Sequence, residues 1–283
     1  MVEDLTTLLF PSQGQTSLPL CASDGLVCCT ASGPGGHALR VLLDTGTDPS
    51  AIDSSLARRL ALRTGGSGLG SGAVSDEVPF TEAVLPWLRL GGLTIRDLFA
   101  PALELRNLPF EVDIVLGYNV LRQLALRIDY RRELITLAHP DLGAPAPETP
   151  AVALPLVFFE QFPALEGLEV AGRPVPLATI DTGSNAALTL GPDIALDLGL
   201  LAEREDVQVG SGAGFGGGGA VLRGCAGPVQ IGPISLPDVE LDTPAGARGD
   251  LGRAGRANIG NRLLARFAAV SLDYERRLIS FEL

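Results

Sequence analysis

Apolar and polar positions alternate twice along this chain, each time in the same order. LVCCTA (26–31), a Gly-rich turn and HALRVLL (37–43) read as a β-hairpin. LEV (168–170), AGR and PVPLATI (174–180) read as a second one. Short apolar runs bounded by Gly and Pro predict strands rather than helices. Each hairpin is followed by a brief helical stretch, LARRLAL (56–62) and IALDLGL (194–200), and then by a Gly-rich segment, GLGSGAV (68–74) and GFGGGGAV (214–221). A strand–turn–strand unit comes next, at 88–105 and 229–244. Finally an apolar-Gly step leads into a helix and a last strand, at 115–137 and 258–283, with the pairs Asp129-Tyr130 and Asp273-Tyr274 in matching places.

Such a repeat means two copies of one structural plan. The expected architecture is all-β, with a few short helices and two lobes related by a pseudo-twofold axis. The lobes are expected at 17–138 and 154–283, after an N-terminal extension at 1–16. Residues 139–153, part of a stretch with five Pro up to residue 155, read as an extended linker. A single copy of about 130 residues has a small core, so the two copies are expected to stabilise each other by pairing.

Composition narrows the chemistry. Gly 35 and Pro 21 make about a fifth of the 283 residues, which disfavours a helical bundle. The net charge of −12 and pI of about 4.6 oppose binding to nucleic acid or to an anionic membrane. Every basic residue is Arg, which removes lysine Schiff bases and P-loop lysines and reads as high-GC coding bias. His37 and His139 are the whole supply of imidazole, too little for a His-rich metal site or a Ser-His-Asp triad. No metal or cofactor is expected. Cys21, Cys28, Cys29 and Cys225 lack CxxC spacing and are expected as unbridged, partly buried thiols. No apolar run reaches the roughly 18 residues of a membrane span. The acidic start MVEDLTTLLFPSQGQ does not read as a secretory signal, so a cytoplasmic location is expected.

The centre of each copy carries Asp-Thr-Gly, in RVLLDTGT and LATIDTGS, with Asp44 and Asp181 137 residues apart. An apolar strand brings each Asp out of the interior. Gly46 and Gly183 permit a tight turn and close approach by another backbone. Thr45 and Thr182 can hydrogen-bond inward across a symmetry axis, and Thr47 and Ser184 can each donate to the carboxylate of their own loop. If the loops face each other, Asp44 and Asp181 become neighbours that cannot both ionise cheaply, so the pair holds one proton. Such a pair can activate a water as base and protonate a leaving nitrogen as acid.

These motifs, with the apolar-Gly steps IVLGYNVL (114–121) and ANIGNRLL (257–264), resemble the retropepsin-like clan of aspartic proteases, in a bacterial form with both Asp-Thr-Gly lobes fused in one chain. The resemblance covers almost all of 17–283. It implies a two-lobed acid-protease fold with the cleft between the lobes. It makes Asp44 and Asp181 the catalytic pair, Thr45 and Thr182 the interlocking residues beneath them, and Gly46, Thr47, Gly183 and Ser184 the rest of the loops. Flaps over the substrate are implied at the Gly-rich segments, with Gly68, Leu69, Gly70, Gly214, Phe215 and Gly216 as candidates. The implied activity is aspartic endopeptidase cleavage of a peptide or protein by a monomer, without a covalent intermediate. Neither Gly-rich segment contains Tyr, and Asn258 stands where an apolar residue is implied. Thr47 and Ser184 stand where the retropepsin pattern usually has Ala. With hydroxyl donors on both sides, a bell-shaped rate profile is expected at about pH 3.5–5.5 from carboxylate reference values, its acidic limb rising if both hydroxyls are removed. The alternative is a catalytically silent peptide-binding or assembly module of the same fold. A two-carboxylate glycosidase needs wider carboxylate spacing and aromatic platforms, and aromatics are only 5%.

Overall fold

Apolar runs punctuated by Gly and Pro do become strands. A computed structural model describes residues 3–21, 25–200 and 207–283, and the chain is mostly β with a few short helices. Strands between residues 7 and 116 form a nine-stranded sheet, and strands between residues 157 and 260 form an eight-stranded one. A six-stranded sheet draws on both halves of the chain.

The repeat is reproduced in the strand pairing. In the first half Ala38–Leu43 runs parallel to Ile114–Leu116, which pairs antiparallel with Ala51–Asp53, which runs parallel to Ala102–Leu103. In the second half Arg173–Asp181 runs parallel to Ala257–Gly260, which pairs antiparallel with Leu188–Leu190, which runs parallel to Ile234–Pro244. Val41, Leu43, Ile114 and Val115 are fully buried, as parallel strands covered on both faces require. Register is shared as well. Leu42 lies opposite Val115 in the first half, and Thr179 lies opposite Asn258 in the second.

Several boundaries differ from the sequence reading. The helices after the Asp loops run Ser54–Arg59 and Pro192–Asp197 rather than to residues 62 and 200. Asp53 caps the first by accepting from Ser55 and Leu56 N–H, and Pro192 opens the second. They end early because Ala61 and Gly199 turn left-handed, at φ +47° and +70°. After each apolar-Gly step the chain forms a short helix and then two strands, not one: Ala125–Asp129 with Leu134–Ala138, and Ala269–Asp273 with Leu278–Glu282. The N-terminal strand Thr7–Leu9 pairs with Leu93–Phe99, and the end of the Pro-rich stretch becomes the strand Ala151–Pro155 beside Leu278–Glu282.

The six-stranded sheet joins the halves where Ala125–Asp129 pairs with Ala269–Asp273. Arg127 is buried in this sheet and bonds to Glu282, with Asp129 at 3.2 Å. One apolar cluster runs through both halves, from Leu18 and Leu43 to Ile180 and Phe281. None of the four cysteines, all among the described residues, is in a disulfide, and burial with Cys28 and Cys21 nearby pushes the Cys29 thiol up to about 12. Among the described residues no helix is long and apolar enough to cross a membrane.

Candidate active site

The two Asp-Thr-Gly loops meet at the centre of the molecule, and their threonines hold them there. Thr45 N–H donates to Thr182 Oγ1 at 3.2 Å, and Thr182 N–H donates to Thr45 Oγ1 at 3.0 Å. Each hydroxyl then donates to the strand of the other half: Thr45 Oγ1 to Ile180 O and Thr182 Oγ1 to Leu43 O, both at 2.6 Å. Both threonines are buried, so these groups have no water to replace a lost partner. Thr45→Val strands the Ile180 carbonyl and the Thr182 N–H together. The expected loss of stability is about 2–3 kcal/mol, read as a lower urea midpoint at unchanged m. A change below about 0.5 kcal/mol, the range of ordinary surface substitutions, would show that the network does not hold the loops together.

Both glycines are needed for the approach. A Cβ on Gly46 would lie 2.7 Å from the Asp181 carboxyl carbon, and one on Gly183 would collide with the Asp44 carboxyl. The apolar-Gly steps pack behind the loops in the same way: a Cβ on Gly117 would strike Thr47 O, and one on Gly260 would strike Ala186 O.

The loops bring the Asp44 and Asp181 carboxyls into hydrogen-bonding contact. Asp44 is buried and Asp181 half-buried. Each has its inner oxygen held by its own loop, Gly46 N–H to Asp44 Oδ1 at 2.8 Å and Gly183 N–H to Asp181 Oδ1 at 2.9 Å. The outer oxygens differ. Thr47 Oγ1 donates to Asp44 Oδ2 at 2.5 Å, as the sequence leads one to expect. On the other side Asn258 Nδ2 donates to Asp181 Oδ2 at 3.0 Å, while the Ser184 hydroxyl accepts from Ala186 N–H. Burial, and after it the Asp181 charge, raise Asp44 well above the ordinary carboxylate range. Burial also raises Asp181, against the pull of Asn258 and the loop N–H groups. The two carboxyls therefore retain a proton at pH values where a free carboxylate has lost it.

Two long hairpins extend from the sheets, Arg63–Gly72 with Ser75–Leu90 and Gln208–Gly214 with Gly217–Ile231. Gly214, Phe215 and Gly216 sit at the tip of the second. In the first the tip is Ala73-Val74, and Gly68, Leu69 and Gly70 lie further back, paired with Phe80, Pro79 and Val78. The tips touch: Gly72 lies against Phe215, and Gly216 against Ser75 and Val78. The first tip also bonds to the second half, through Leu251 N–H to Ala73 O and Gly249 N–H to Asp76 Oδ1. Phe215 packs on an apolar cluster of the first half that contains Leu42 and Val115, the pair just behind Asp44. The sequence puts Phe215 on a flap without showing what it touches, and it shows Asn258 only as a polar residue in an apolar strand.

Among the described residues no cluster of His, Cys, Asp and Glu could hold a metal ion. Residues 31–120 match the family model of the aspartyl proteases, a stretch that includes the Asp44 loop, the first hairpin and Gly117. That part of the chain is similar to aspartyl proteases. No curated protein matches the chain.

Proposed function

We propose that this chain is an aspartic endopeptidase whose site is completed within one polypeptide by two lobes, 17–138 and 154–283. The observation that carries this reading is the facing pair Asp44–Asp181, hydrogen-bonded and delivered by two loops of matching topology. In the proposed reaction a water lies between the carboxyls. The ionised member takes its proton as the oxygen attacks the scissile carbonyl, and the protonated member hydrogen-bonds the developing oxyanion. The leaving nitrogen then receives a proton from the pair, and no covalent intermediate forms. The peptide lies extended between the hairpins and the cleft strands, bonding to them as an added strand. Cleavage of a random peptide library tests the reading, with backbone hydrolysis expected and intact peptides the contrary result.

The pH profile follows from the directions found at the site. Activity appears when the pair loses its first proton and vanishes when it loses the second. Because burial raises both carboxyls, the alkaline limb is expected above the reference carboxylate value of about 4. Of the two hydroxyl donors expected to set the bell, only Thr47 donates to its carboxylate. A kcat/KM profile with both limbs below about pH 4 would contradict the assignment. Since both loops belong to one chain, specific activity is expected to be independent of protein concentration. A fall on dilution would require a second copy.

One observation favours the silent-module reading: Phe215 packs against the apolar cluster that contains Leu42 and Val115, and the first tip is tied to residues 249–251. That reading requires the tips to stay shut, so peptide would neither enter nor be cut.

A further inference from the structure

The pair is not symmetric, and on the Asp181 side the asymmetry comes from one strand register. Two residues before the Asp and two before the Gly of the apolar-Gly step, the first half has Leu42 opposite Val115. At the same register the second half has Thr179 opposite Asn258. Asn258 is buried, at 2% exposure, within a strand otherwise made of Ala257, Ile259 and Gly260. A buried amide persists in such a strand only with its polar atoms satisfied. Here they are: Thr179 Oγ1 donates to Asn258 Oδ1 at 2.7 Å, and Asn258 Nδ2 donates to Asp181 Oδ2 at 3.0 Å.

The single Thr179 hydroxyl proton reaches Asn258 Oδ1 at 2.7 Å and Ala257 O at 3.1 Å, and the closer acceptor sets the amide with its NH2 toward Asp181. Turned the other way, the amide oxygen would need a proton on Asp181 Oδ2 to face it. In the observed orientation Asp181 Oδ2 accepts, which favours the ionised oxygen, the stronger acceptor, over a protonated one. Asp181 Oδ1 already accepts from Gly183 N–H. Asp44 Oδ2 is different, because its partner Thr47 is a hydroxyl, which can rotate and accept. An amide NH2 has no such option.

We infer that Asn258 is a positioning residue that breaks the symmetry of the pair, fixing Asp181 as the ionised, water-activating member and leaving the shared proton with Asp44. The assignment of a water to Asp181 rests on the protease reading, whereas the placement of the proton does not. Burial raises both carboxyls, and Asn258 is the strongest contact lowering Asp181. The charge acting on Asp44 is that of Asp181. Among the described residues Tyr274 also senses the site, its phenol raised by burial, Tyr118 and Asp44, so that it stays neutral.

Carboxyl carbon NMR titration of single-Asp variants tests this without turnover. Asp181 in Asp44→Asn is expected to titrate at least about one pH unit below Asp44 in Asp181→Asn, the size of one charge-assisted hydrogen bond. Asn258→Leu, of similar volume but without the donor, is expected to erase that difference. In the otherwise intact chain it should move the acidic limb of kcat/KM up by about one unit with little change in KM. Thr179→Val, which frees the amide to turn, should move the limb the same way by less, and it serves should Asn258→Leu fail to fold. Equal titration of the two carboxyls, or an acidic limb unmoved in either folded variant, overturns the inference even if peptides are cleaved. Unequal titration without cleavage in the intact chain would instead sustain the proton placement and remove the protease reading.

Discussion

Asp44→Asn, and separately Asp181→Asn, is expected to lower peptide cleavage by about 10⁴-fold, the upper end of what general acid–base catalysis supplies. The two roles are complementary, so either loss removes the water's base or the oxyanion's proton donor, and the effects should not add in the double variant. The fold is expected to survive, because the interlocking bonds run through Thr45 and Thr182 rather than through the carboxyls. Stability supplies an independent sign. Asp44 is raised in the folded chain, so the folded form binds its proton more tightly than the unfolded one does. Its contribution is fully present below the ordinary carboxylate range and is lost as pH rises toward the raised value. At neutral pH Asp44→Asn should therefore melt no lower than the native chain, and any gain should shrink near pH 4. Full activity in either single variant would remove the pair from the mechanism.

Arg127→Ala is expected to destabilise the chain by about 3–5 kcal/mol, measured by urea unfolding. Arg127 and Glu282 are both nearly inaccessible, with side-chain exposures of 7% and 4%. Truncating the guanidinium leaves Glu282 as an uncompensated buried charge in the sheet that joins the halves. Arg127→Ala combined with Glu282→Gln should recover much of the loss, because the stranded charge is then gone. A single variant as stable as the native chain would mean that water reaches Glu282 and that the ion pair does not hold this joint.

The Asp loops were legible because three kinds of signal coincide there: an apolar strand, a triplet that needs Gly, and a second copy. Thr45 and Thr182 could be assigned inward bonds from their type and place alone. The donor to Asp181 was harder to see. Ser184 has the right chemistry at the right spacing, yet Asn258 arrives from a strand 77 residues further on and takes the outer oxygen. Such a partner is fixed by strand register, which no local pattern states. The doubled strands after the apolar-Gly steps were hidden for a different reason. Glu133 and Arg277 occupy the left-handed region in those turns, where Gly or Asn would have marked a break. The glycines mark the first hairpin but not its turn, since Gly68 and Gly70 lie along a strand where Phe80 crosses, and Ala73-Val74 make the turn.

The central claim is that Asp44 and Asp181 act together on a tetrahedral centre. Titration of the chain with a statine-type peptide, whose hydroxyl mimics that centre, tests it most directly, with the same peptide lacking the hydroxyl as reference. The account predicts binding at least about 10²-fold tighter for the statine peptide, with the advantage lost in Asp181→Asn. Equal affinity for the two peptides would contradict it.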